Sequence, residues 1–317
     1  MTLSDSELAK IDPVSLTLDD VEPEAFAARL GASFARYGFA VVADHGLDQG
    51  RIDALLADMK SVFALPEVVK RRSLIEGGKG QRGYTAFGVE TAKGETWSDL
   101  KEFWHVGREL PDGHPLRPYM PANVWPETPA SFRDDALWLF DALEAMGGRV
   151  LRAIARYLVL GETFFDGPIE DGNSVLRLLH YPPADFDGPN IRAGAHADIN
   201  AITLLLGAEE AGLEVLTRDG SWLAISPPAG ALVINIGDML ARLTNDVLPS
   251  TIHRVVNPAA ERRGVARYST PFFLHFRPDF LIETLPDCVA PDRPDRYPTP
   301  ITAHQYLTQR LEEIGLA

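Results

Sequence analysis

A mixed α and β chain is expected here, with a helical first part supporting a β-rich second part, and three observations lead to it. Apolar residues recur at helical spacing in three segments ahead of Gly161. From Ser174 the pattern changes to short β-rich stretches divided by Gly, Pro, Asp and Asn, as in an antiparallel sandwich or barrel. The composition, 45% hydrophobic and 24% charged over 317 residues, is that of a globular protein able to bury a full core.

Taken in order, Phe26, Leu30 and Phe34 predict a helix over 23–37, and Phe39-Ala40-Val41-Val42-Ala43 reads as a short buried strand. Ile52, Leu55, Leu56, Met59, Val62 and Phe63 predict a second helix over 49–65. The Gly- and charge-rich stretch 76–97 reads as a loop. Leu137, Leu139, Phe140, Leu143, Met146, Val150, Leu151 and Ile154 predict a long helix within 129–160. Strands are expected at 174–181, 199–206, 213–217, 222–226, 231–236, 251–256 and 266–276. A Pro- and Asp-rich tail from Pro278 closes with a helix near 303–314. The organisation is therefore an N-terminal region 1–125, a long supporting helix within 126–170, a β-core 171–280, and a tail with its helix over 281–317.

The net charge is −15, from 45 acidic against 30 basic residues, which argues against binding nucleic acid through its phosphates. A pocket for an anion must then supply positive charge locally. Cys288 is the one cysteine, so neither an intrachain disulfide nor a thiolate metal cluster is expected. The polar, acidic start MTLSDSELAKID lacks the pattern of a signal peptide, and no run of about 18 apolar residues predicts a membrane helix. A cytoplasmic location is the simplest expectation.

His196-Ala197-Asp198, followed by His253, supplies two imidazoles and one carboxylate, the facial ligand set of non-haem Fe(II) in oxygenases. His196 and Asp198 are i and i+2 at the start of an expected strand, so both side chains leave one face. His253 alternates with apolar neighbours on another. Three ligands leave three positions of an octahedral metal open, which suits catalysis better than a closed structural site. A lone histidine is more often a core residue; the trio gains independent support from Arg267 and Ser269. These two also share a strand face, and a planar guanidinium fork beside a hydroxyl suits a small carboxylate. The ordinary alternative for Arg267 is a buried ion pair with a protein carboxylate. Arg177 and Tyr181, on another strand-like segment, can approach the same anion from its other end, with a surface position the alternative for Arg177.

The remaining histidines draw less. His45 sits in the turn Asp44-His45-Gly46 after the first strand, His105, His114 and His304 lack a partnered acid at useful spacing, and His180 and His275 read as core or exposed residues, a supporting role at the metal being the alternative. Gly78-Lys79-Gly80-Gln81-Arg82-Gly83 spells a dinucleotide fingerprint but follows no strand, so it is set aside as a nucleotide site. A loop at a pocket mouth fits it better, with Tyr84, Phe87 and Phe103 as candidate substrate contacts and Phe273 as a fourth, against their ordinary role as core.

The ordered set Phe39 to Gly46, Phe63-Ala64-Leu65-Pro66, Tyr181-Pro182-Pro183, His196-Ala197-Asp198, Asn235-Ile236-Gly237-Asp238, His253-Arg254-Val255 and Arg267-Tyr268-Ser269 resembles the isopenicillin N synthase-like branch of the 2-oxoglutarate- and Fe(II)-dependent oxygenases, over most of the chain. The resemblance implies a double-stranded β-helix (jelly-roll) core with flanking helices and a helical N-terminal region. It implies that His196, Asp198 and His253 bind Fe(II), that Arg267 and Ser269 bind the distal carboxylate of 2-oxoglutarate, and that Tyr181 assists there or lines the substrate pocket. Many plant members have Asn where Leu179 stands and Tyr where His180 stands, so the near carboxylate is contacted otherwise, with Arg177 the candidate. The implied reaction uses O2 to hydroxylate or desaturate a small molecule while 2-oxoglutarate becomes succinate and CO2. An ethylene-forming or 2-oxoglutarate-independent oxidase on the same scaffold, and a non-catalytic ligand sensor, are the alternatives.

Overall fold

The computed structural model describes residues 11–78, 80–90, 97–183, 191–206, 212–258 and 260–313. The chain opens with β1 (Val14–Ser15), α1 (Thr17–Val21), α2 (Pro23–Tyr37), β2 (Phe39–Ala43), α3 (Gln49–Phe63) and α4 (Glu67–Lys70). It continues through β3 (Gly83–Thr85), β4 (Glu102–Gly107), α5 (Phe132–Tyr157) and α6 (Asp166–Ile169) to β5 (Val175–Tyr181). Then come β6 (Ala193–His196), β7 (Ile202–Leu206), β8 (Leu213–Leu216), β9 (Trp222–Ala224), β10 (Leu232–Ile236) and α7 (Asp238–Leu243). β11 (His253–Val255), β12 (Arg267–Ser269), β13 (Pro271–Leu274), β14 (Leu281–Ile282), β15 (Ile301–Thr302) and α8 (Ala303–Glu313) complete it.

Short strands that cannot pair with their sequence neighbours find partners across the chain. The large sheet runs β1-β2-β10-β7-β13-β5-β4-β3, with β12 also on β5, and every pair but β1–β2 is antiparallel. The second sheet runs β6-β11-β8-β9. Phe39 and Val233 of the large sheet pack with Leu213, Val215 and Leu223 of the small one, so the two face each other. This is the jelly-roll layering, helices lying outside the larger sheet.

Period-two alternation decides what each strand shows to either side. On β5, Leu176 and Leu178 join the helix-side core, while Val175, Arg177, Leu179 and Tyr181 face the space between the sheets. β7, β10 and β13 divide likewise, turning Thr203, Asn235 and Phe273 inward. Fully burying one Leu or Phe side chain is worth about 1.5–3 kcal/mol, so these rows resist a register slip, which would exchange the two faces. α5 presses on the outer face: a Cβ on Gly147 would lie 2.3 Å from Leu274 Cδ1. α2 ends at Gly38, whose φ of 71° is the left-handed conformation that only glycine adopts freely, and the chain turns there directly into β2.

α2 and β2 occupy their expected limits. α3 stops at Phe63, short of the expected 65, and the stretch 266–276 breaks at Thr270 into β12 and β13, which pair with different parts of β5. β3 and β4 lie where a loop or nothing was expected. β4 is buried on both faces and holds its one charged residue, Glu102, in an ion pair with Lys70, so it lacks the alternation that marks a half-exposed strand. Lys79 and residues 91–96 of the expected loop lie outside the described residues. Among the described residues no helix is long and apolar enough to cross a membrane.

Candidate active site

His196 closes β6 and His253 opens β11, and the antiparallel register makes them direct partners, with ring centroids 4.5 Å apart. Asp198 does not share a strand with His196 as expected: it sits in the connection that leaves β6 for the large sheet. That bend brings Asp198 Oδ1 to 3.8 Å from Nε2 of both imidazoles, and one ligand atom from each residue lies within 4.8 Å of the others.

The hydrogen bonds behind these atoms orient them for a metal. His196 Nδ1 is 2.7 Å from Gly194 O, and His253 Nδ1 is 3.1 Å from Thr251 O. A carbonyl only accepts, so each Nδ1 carries the proton and each Nε2 presents a lone pair. Asp198 Oδ2 accepts from Thr203 Oγ1 at 2.5 Å and Asn235 Nδ2 at 2.8 Å, leaving Oδ1 toward the imidazoles. Burial alone would raise the Asp198 carboxyl, but the two imidazoles and these two donors hold it below its ordinary range. His196 is pushed down to about 4, first by burial and then by His253 beside it. A carboxylate and two imidazoles that turn Nε2 to one point form the donor set that a divalent iron takes on one face.

Two cavities meet at this triad. The smaller, of about 70 Å³, is lined by Leu179, Tyr181, Arg267 and Ser269 among others. β12 pairs Arg267 with Tyr181 of β5, and the guanidinium carbon stands 5.1 Å from the centre of that ring. The larger, of about 340 Å³, shares Lys101, Arg177, Phe273 and the triad's His196 and Asp198 with the smaller, and extends toward Leu307 and Arg310 of α8.

The expected site residues divide. Arg267, Ser269 and Tyr181 face the smaller cavity, and Phe103 and Phe273 line the larger. Arg177 borders both, but its guanidinium is committed to protein partners: Nε donates to His105 Nε2 at 2.6 Å and Nη1 to Glu90 at 3.1 Å. These partners neutralise it in the wall that the two cavities share. Tyr84 is corrected outright. It lies in the helix-side core against Trp104, its hydroxyl donating to Glu102, because β3 turns it to the outer face. Phe87 is 40% exposed and is not among the residues lining either cavity. His180 also points outward, bonded to Glu102 at 2.7 Å and stacked on Phe63 and Tyr268.

Sequence reasoning gave no role to Lys101, Glu90, Asp99 and His105, and gave His275 a supporting role at the metal only as the alternative; all five line the larger cavity. Lys101 is ion-paired to Glu90 and Asp99, each at 2.8 Å. Burial would lower this ammonium, but the two carboxylates raise it above its ordinary value, and Arg177 and Lys101 together hold Glu90 ionised against its own burial. His105 has its imidazole pushed well down, first by burial and then by Arg177. A signal for His275 was present: continuing the alternation from Arg267 through Ser269, Pro271 and Phe273 turns it inward.

Comparisons with known proteins bear on this geometry. The family model described as the non-haem dioxygenase N-terminal region, named from morphine synthesis, matches residues 10–128. That of the 2OG-Fe(II) oxygenase superfamily matches residues 172–276. A 2-oxoglutarate-Fe(II) type oxidoreductase, hxnY of Emericella nidulans, is 35% identical over 276 residues, covering 84% of this chain and 78% of that protein. A crystal structure of a 2OG-Fe(II) oxygenase family protein from Caulobacter crescentus superposes with a TM-score of 0.90 at 61% identity, over 96% of this chain and 99% of that one. A full-length Neurospora crassa protein, solved in complex with α-ketoglutarate and thymine, superposes with a TM-score of 0.83 at 28% identity, over 95% and 96% of the two chains.

Proposed function

Because the chain belongs to the 2OG-Fe(II) oxygenase superfamily, we propose that His196, Asp198 and His253 hold its Fe(II), and that Arg267 and Ser269 receive the distal carboxylate of 2-oxoglutarate. The protein is an oxidoreductase, a 2-oxoglutarate-dependent dioxygenase acting with O2 on a small molecule. The observation that carries the assignment is the convergence of two Nε2 atoms and one carboxylate oxygen, each oriented from behind, at the junction of two cavities.

The bound Fe(II) supplies the redox chemistry, coupling decarboxylation of 2-oxoglutarate to succinate and CO2 with oxidation of a substrate C–H bond. The chain's own residues do the positioning. The Gly194 and Thr251 carbonyls fix the tautomer of the two histidines, and Thr203 and Asn235 fix the carboxylate. Arg267 offers a fork of N–H donors and Ser269 a hydroxyl from one strand face, both buried. Leu179, Leu205 and Val255 give the same small cavity apolar wall, and the lower local dielectric strengthens an ion pair made there. Phe103, Phe273 and Ile252 belong to the apolar wall of the larger cavity, the side of the metal site that is open to a substrate. The thymine held by the Neurospora crassa protein is a molecule of a size that this cavity accommodates.

The test is anaerobic addition of Fe(II) and then 2-oxoglutarate to metal-free protein. The expected result is a visible charge-transfer band that is absent in His196→Ala and weakened in Arg267→Ala. Iron binding without a band would remove the chelating cosubstrate, and no iron binding would remove the triad.

A further inference from the structure

The larger cavity is mostly apolar but carries a cluster of buried charges in its wall, and those charges balance. Lys101 and Arg177 supply two cations to its wall and Glu90 and Asp99 two carboxylates, and these touch at 2.8 Å, 2.8 Å and 3.1 Å. At the rim Arg310 is bonded to Glu313 at 2.6 Å and lies 3.6 Å from Asp238. Among the described residues, each cation lining this cavity thus already faces a carboxylate. A substrate carboxylate entering here would meet Glu90 and Asp99 as buried like charges, which a low-dielectric site penalises heavily. An uncharged molecule leaves the balance intact.

Hydrogen-bonding capacity nonetheless remains. The Lys101 ammonium has three protons, of which Glu90 and Asp99 engage two. His275 lines the cavity with only 7% of its surface exposed, and among the described residues nothing is hydrogen-bonded to its ring. Its ring nitrogens keep access to the cavity, where a ligand can hydrogen-bond them. Burial pushes this imidazole down to about 4, so near neutral pH it presents one donor and one acceptor. Phe103 and Phe273 supply flat apolar surface in the same cavity.

We propose that the larger cavity takes an uncharged ring compound carrying amide or lactam groups, bound by the His275 imidazole and the remaining Lys101 proton, and that it discriminates against carboxylates. The inference rests on the metal and cosubstrate assignment above, which makes this cavity the substrate side. The experiment is calorimetric titration of the anaerobic Fe(II)–2-oxoglutarate protein with two pairs of probes that differ in charge, uracil against orotate and benzamide against benzoate. The uncharged member of each pair is expected to bind about tenfold more tightly, the scale of one well-made hydrogen bond or one avoided charge conflict. His275→Leu is expected to weaken the uncharged probes by about tenfold, and His275→Gln, which keeps a donor and an acceptor, to recover most of that loss. Affinities for Fe(II) and 2-oxoglutarate should stay within about twofold in both variants. Equal or tighter binding of the carboxylates, no binding of the uncharged probes at millimolar concentration, or unchanged affinity in His275→Leu would each overturn the proposal. Failure of the unmodified protein to bind Fe(II) or 2-oxoglutarate would overturn the underlying assignment instead, and is read before any probe is added.

Discussion

Asp198 uses its two oxygens differently. Oδ2 is tied to Thr203 and Asn235, and Oδ1 is turned to the imidazoles, so the carboxylate cannot rotate without breaking two buried hydrogen bonds. Replacing Asn235 by Leu should therefore lower Fe(II) affinity by about 10–100-fold, the usual effect of removing a partner that orients a metal ligand. Metal titration with unchanged affinity would show that Thr203 alone suffices. His253→Ala should lose metal binding while its far-ultraviolet circular dichroism matches the parent, since His253 contributes one short edge of β11. For Arg267→Ala the expected loss is about 2–5 kcal/mol of 2-oxoglutarate affinity, if the ion pair is as dry as its buried position implies. Calorimetry giving the parental value would take the carboxylate pocket away.

Within single elements, the two faces of a strand carry different work. On β5 Arg177 meets the cavities and His180, three residues on, meets α3 through Phe63, so chemically similar polar residues serve the site and the core respectively. Tyr84 and Phe103 show the same division across β3 and β4: they pair in register opposite Trp104 and Thr85, and only Phe103 turns inward. The outer face is also where α5 docks. Gly147 gives that helix its close approach to Leu274, which stands between the cavity-lining Phe273 and His275 in sequence. Gly147→Val should lower stability by about 1–3 kcal/mol through overpacking, read as a shift of the urea midpoint. A midpoint at or above that of the parent would mean that Leu274 can move aside freely.

Across the molecule, acidic conditions should act through imidazoles that the fold keeps neutral. His196 and His275 are both lowered from 6.5 to about 4. Below pH 6.5 the unfolded chain takes up protons that the folded chain refuses, so the unfolded state binds more protons and stability falls as pH falls. The decline should run from about pH 6.5 to about pH 4, with protonation of Asp198, whose carboxyl is also lowered, adding to it at the acid end. Urea midpoints of metal-free protein at a series of pH values check this. Midpoints that stay flat across the window would show that neither ring is held neutral by the fold. Bound metal should resist the change, because a proton and Fe(II) compete for the same Nε2 of His196.

How far the residues could be read ahead follows from what kind of pattern each one makes. α2, β2 and α5 were legible because their apolar spacing is a local property, dictated by one buried face. The convergence of His196, Asp198 and His253 was legible because their chemistry is unusual in combination and their order along the chain is that of a family. β4 and the Lys101–Glu90–Asp99 cluster were not. Their charges look like solvated surface until the partner is brought in, Glu90 and Asp99 to 2.8 Å from Lys101, and Lys70, 32 residues back, to 2.6 Å from Glu102. The outward turn of Tyr84, the commitment of Arg177 to Glu90 and the inward ring of His275 likewise depend on strand pairing and register, which are long-range choices. Ligand identity is written in local chemistry; the shape and charge balance of the cavity around it arise only where distant strands meet.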